Sequence, residues 1–92
     1  MSGQRCEVCG REASLTFHHL IPKTLHGKKW YRKRYSLAEL KSRGMHVCRE
    51  CHRAIHKFWD EKTLGKEHNT PELILGTELI RNHIRYMRRR FH

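Results

Sequence analysis

No stretch of this chain approaches the ~18 consecutive apolar residues that a membrane-spanning helix needs. Residues 1–10 are polar and hold no apolar run of the kind a secretory signal carries. No membrane partner is expected, and the absence of an export signal argues for a reducing cytoplasm. There, paired cysteines hold metal more often than they form disulfides. Acidic residues are scarce too: nine Asp and Glu stand against twenty Lys and Arg, a formal charge of +11. An excess that large for the mass points to a polyanionic partner, with nucleic acid first among them. Internal repeats and low-complexity linkers are also missing, so a single domain over residues 1–92 is expected. With 37% apolar residues the core is small and marginal, and some further staple is needed.

Four cysteines are available for that staple, in two C-x-x-C pairs: Cys6 with Cys9, and Cys48 with Cys51. Each pair can grip one metal ion from a single turn. A structural Zn²⁺ is tetrahedral and often takes four thiolates, and its binding supplies folding free energy that a small core lacks. Gly10 offers the positive φ that a metal-binding turn often requires. A rival set, Cys48, Cys51, His52 and His56, would strand Cys6 and Cys9. It also asks neighbours that project roughly 100° apart on a helix to share one centre. Cysteines on zinc and histidines elsewhere is the more economical arrangement.

The pattern of residues gives an α+β reading. "SLTFHHLI", Ser14 to Ile21, reads as a strand that Pro22 stops. His26 to Ser36 reads as a basic loop with embedded aromatics. Ser36 and Glu39 form a capping box for a short helix that Gly44 ends, and Met45 to Cys48 makes a second hairpin strand. From Arg49 onward Ala54, Ile55, Phe58 and Trp59 recur at helical spacing. After "DEKTLGKEHN", Thr70 and Pro71 start a helix, and Gly76 and Thr77 break or re-cap it. The last helix carries Leu79, Ile80, Ile84 and Met87 on one stripe. His52 and His56, four apart, share a helix face. His18 and His19 are adjacent at a strand end and therefore point to opposite faces.

The combination "CEVCG…LTFHHLIPK…VCRECHRAIH", Cys6 to His56, resembles the HNH endonucleases, the ββα-metal nucleases. "KTLGKEHNTPELIL" also looks like a small bacterial subgroup of them. The resemblance implies a small ββα-metal, treble-clef-like fold with a structural zinc: a motif core over residues 6–56 and a helical extension over 57–92. It implies a metal-dependent DNA endonuclease that hydrolyses phosphodiester bonds. His18 and His52 match the family's metal ligands, with His56 as a further ligand or support, and His19 matches the general base. The metal would be one divalent ion: Mg²⁺, Mn²⁺, Ni²⁺ or Zn²⁺. One position departs from the pattern. The family's Asn that orients the base falls five residues before the third cysteine, where this chain has Arg43. His46 is the nearest polar substitute and the candidate second catalytic residue.

Lys28, Lys29, Arg32, Lys33 and Arg34, interleaved with Trp30, Tyr31 and Tyr35, are candidate nucleic-acid contacts, as is Arg43. Two alternatives to the nuclease remain open: a zinc-stapled nucleic-acid-binding module without hydrolytic activity, and an accessory part of a phage packaging or restriction machine.

Overall fold

Two strands, β1 (Leu15–His19) and β2 (Gly44–Cys48), pair antiparallel with Leu15 opposite Cys48 and His19 opposite Gly44. The structure, a computed structural model, describes residues 4–91. Its described residues form a small mixed α+β fold: this two-stranded sheet surrounded by helices. Register decides which side chains go inward. Met45 and Val47 of β2 are fully buried, and His18, opposite Met45, is buried with them. The large apolar residue of β1, Phe17, lies on the other face and is 37% exposed. The buried position of this strand is thus a histidine.

Between the strands the chain makes a 3-10 turn at Lys23–Leu25 and the helices α1 (Lys29–Arg34) and α2 (Leu37–Ser42). The capping box at α2 forms as the sequence implies. Ser36 Oγ accepts from the Glu39 N–H, and the Glu39 carboxylate accepts from the Ser36 N–H, both at 3.1 Å. Gly44 does not end this helix; Arg43 caps it and Gly44 opens β2. Lys29 to Arg34, expected as loop, is helical although it shows no apolar periodicity. It buries only Tyr31, which joins Ile21, Leu25 and Leu40 in a small second core.

Helix α3 (Arg49–Phe58) follows β2 directly and buries Cys51, Ala54 and Ile55. Next come α4 (Glu61–Glu67), α5 (Pro71–Leu75) and α6 (Glu78–Arg90). α4 is absent from the sequence reading; Asp60 caps it by accepting from the Thr63 N–H at 2.8 Å. Thr70, Pro71 and Thr77 start α5 and α6 as expected. α6 lies against α3 and α5, with Ile80 and Met87 buried, whereas Leu79 falls off the stripe at 46% exposed. Leu64, Ile74, Ile80 and Met87 share one core with Met45, Val47, Ile55 and the cysteines. The segment after residue 56 is therefore part of the packed body. Among the described residues no helix is long and apolar enough to cross a membrane.

Gly44 is required by close approach, since a Cβ there would run into the Phe17 ring. That ring also makes edge contacts with His19 and His46, centroids 4.9 and 5.3 Å away. Gly44→Ala should cost about 1–2 kcal/mol in urea unfolding, the usual cost of overpacking. In a Phe17→Ala background the cost should vanish or change sign, because glycine inside a strand is itself unfavourable. An equal cost in both backgrounds would show that the ring is not the cause.

Candidate metal centres

The turn that carries Cys6 and Cys9 is closed by the Cys6 N–H donating to the Arg11 carbonyl at 3.0 Å and the Gly10 N–H donating to the Cys6 carbonyl at 2.9 Å. Gly10 adopts φ +79°, the left-handed region that favours glycine. Inside the turn the Val8 and Cys9 N–H groups donate to Cys6 Sγ at 3.4 and 3.5 Å. The second pair sits where sheet becomes helix: Cys48 ends β2 and caps α3, and Cys51 lies in the first turn of α3. All four sulfurs fall within 4.8 Å of one another. Cys9 Sγ and Cys48 Sγ are 3.8 Å apart. Two ligands of a tetrahedral zinc with bonds of about 2.3 Å stand about 3.8 Å apart. The four cysteines are free thiols, three of them buried, and they fit a closed structural zinc.

The hydrogen bond shared by Cys6 and Cys51 pulls the Cys6 thiol down and pushes Cys51 up, and burial pushes Cys9 up. The Arg11 guanidinium lies against Cys48 and forms an ion pair with Glu50 at 2.7 Å, placing a cation beside the sulfurs.

A second cluster lies on the other side of α3. The ring nitrogens of His18, His52 and His56 also fall within 4.8 Å of one another. Their ring centroids make a nearly equilateral triangle, with sides of 5.3 Å (His18–His52), 5.2 Å (His18–His56) and 5.0 Å (His52–His56). Three imidazoles bound to one tetrahedral ion at about 2.0–2.1 Å would have centroids about 5.2 Å apart. His18 is fully buried, and neither of its nitrogens has a hydrogen-bond partner. A buried polar group left so costs about 1–3 kcal/mol, and a metal ion is what these nitrogens fit. Burial, then the facing His56 and His52 and the neighbouring His19, pushes His18 down to about 3. Burial also lowers His52. Both are neutral imidazoles at physiological pH, the form that binds metal. His52 is half-buried and His56 exposed, so this site is open on one side, as catalytic metal sites are.

Thr16, two residues before His18 and on the same strand face, orients His52. Its hydroxyl donates to the Val47 carbonyl at 3.2 Å and contacts His52 Nδ1 at 2.7 Å. A hydroxyl has one proton. With that proton given to Val47, the Thr16 oxygen accepts from His52 Nδ1–H, and Nε2 is left as the bare ligand atom. The sequence reading missed Thr16; its alternation with His18 was the available signal.

His19 lies on the opposite strand face, half-buried beside His26, with ring centroids 6.0 Å apart. His26 is itself held, its Nε2 2.7 Å from the Ile21 carbonyl oxygen. Burial, then Lys23 and His26, keeps His19 below its ordinary value. His46, the proposed substitute for the missing Asn, does not touch His19. Its ring meets Phe17 and lies 3.6 Å from the Glu7 carboxylate. Arg43 is half-buried and occupied: it donates to the Asn69 carbonyl at 3.0 Å and lies over the Tyr35 ring at 4.8 Å. Lys28 precedes α1, and Lys29, Arg32, Lys33 and Arg34 lie on its exposed side. Arg34 folds back over the Trp30 ring at 3.8 Å.

No protein-family model matches the chain, and no curated protein or solved structure matches it.

Two outcomes follow from the geometry of the two clusters. Cys48→Ser should remove more than about 3 kcal/mol of stability in thermal melting, because zinc binding is folding free energy. His19→Ala should lose far less, and comparable losses would sink the separation of the clusters. Thr16→Val should weaken Co²⁺ binding at the histidines by about 10–100-fold, read from the visible absorption of a zinc-loaded sample, and Thr16→Ser should restore it.

Proposed function

We propose that the chain is a metal-dependent DNA endonuclease of the HNH type, with the hairpin β1–β2 and helix α3 forming its ββα-metal unit. The observation that carries this is the three-histidine triangle built from β1 and α3, with two bare, fully buried nitrogens on His18. The charge of +11 supports a polyanionic substrate. The clustered free thiols suit a reducing cytoplasm.

His18, His52 and His56 would hold a divalent ion, which would supply neutralisation of charge developing on the phosphoryl and leaving oxygens. The protein's own contribution is positional. His18 comes from the rigid sheet, His52 is held in one tautomer by Thr16, and His56 lies one turn further along α3. His19, on the alternate face of β1, takes the proton of the attacking water as general base. Its lowered pKa keeps it unprotonated near neutral pH. The zinc cluster takes no part in the chemistry; it fixes the start of α3.

Nicking of supercoiled plasmid with Mg²⁺, Mn²⁺ or Ni²⁺ tests the reading. His19→Ala should lower the rate by about 10²–10⁴-fold. The acid limb of the pH profile should lie below the ordinary histidine value of about 6.5, because protonation is what removes the base. Wild type and variant equally active, or equally inert with every ion, would refute the proposal. DNA binding retained without any cleavage would favour a zinc-stapled binding module.

A further inference from the structure

Helix α3 presents more than histidines beside the second cluster. An open groove of about 420 Å³ is lined by Thr16, Arg49, His52, Arg53 and His56. No carboxylate lines it. Arg49 and Arg53 are exposed, and among the described residues neither has an ion-pair partner. The acidic residue nearest in sequence, Glu50, stands three before Arg53, but Arg11 holds it at 2.7 Å.

The placement of these two charges is unfavourable to the helix. Like charges four apart on a helix repel by a few tenths of a kcal/mol. Arg49 is the first residue of α3, where a cation opposes the helix dipole. The two positions are separated by about one turn, about 6 Å along the axis, with His52 and His56 interleaved on the same stripe. An anion laid along that stripe would meet a cation, the metal ligands and a second cation in turn.

We propose that this groove is the seat of the DNA backbone, with Arg49 and Arg53 gripping phosphates of the strand whose phosphodiester faces the three histidines. The proposal rests on the reading of DNA as substrate and deepens it. It makes α3, rather than the basic segment 28–34, the principal contact. Arginine suits the task because its planar fork binds phosphate oxygens in pairs.

The test reads binding alone, so that absence of cleavage leaves it intact. The zinc-loaded full chain is titrated against a fluorescein-labelled 20-base-pair duplex across a range of NaCl, without added divalent ion, and anisotropy gives Kd. Arg49→Ala with Arg53→Ala should weaken binding by about tenfold or more and flatten the log Kd–log salt slope by about 1.8, two phosphates' worth. The melting temperature should match or slightly exceed that of wild type, and Arg49→Lys with Arg53→Lys should keep the slope. Lys29→Ala with Lys33→Ala should lose less. An unchanged slope in the arginine double variant, or a loss no larger than that of the lysine pair, overturns the proposal. So does displacement of the duplex by micromolar inorganic phosphate, which would mark a free-phosphate site, or failure of wild type to bind the duplex at low salt.

Discussion

Cys51 and His52 are neighbours on α3 and project about 100° apart. That angle lets one short helix serve two clusters, sulfur on one side and imidazole on the other. The arrangement works only if the start of α3 cannot roll. Cys48, at the last position of β2, and Cys51, three residues on, lie against the Cys6–Cys9 turn, and a shared metal would tie them to it. The sheet register then sets His18 opposite Met45, facing the same helix. A roll of α3 by one residue would break both clusters at once.

The two clusters make opposite contributions to stability. The cysteines sit in the main core with Met45, Val47 and Ile55, where a metal held by all four would add free energy to a small apolar interior. The histidines subtract. His18 holds two bare nitrogens in the core, burial disfavours its charged form, and the arginines flanking His52 repel one another across the helix surface. Local rules broken at one residue, a histidine with both nitrogens bare on the buried face of a strand, are the pattern of a binding site.

The features that could be read from the residues are those whose chemistry is local. The two C-x-x-C pairs, the spacing of His52 and His56, the capping box at Ser36 and the Thr70–Pro71 start all depend on a few neighbouring residues. They appear in the fold as read. The helices α1 and α4 could not be read in this way. Each is anchored by little apolar surface, Tyr31 in one and Leu64 with Gly65 in the other, so neither writes a periodic stripe. Arg43 illustrates the same limit: its charge suggests DNA, but its guanidinium is engaged by Asn69 and Tyr35 from distant segments.

What the sequence by itself determined is which side chains can hold metal and which pairs must act together, because ligand type and helical or strand spacing are properties of adjacent residues. The resemblance led to the expectation that His18 joins His52 and His56, and the fold brings them together; only the tertiary structure decided that Thr16 contacts His52 and that Arg11 removes Glu50 from the arginine stripe. Those relations cross 30 residues or more of chain. They exist because strand register and the cysteine clamp bring β1 against α3, and no local pattern encodes a distance between segments.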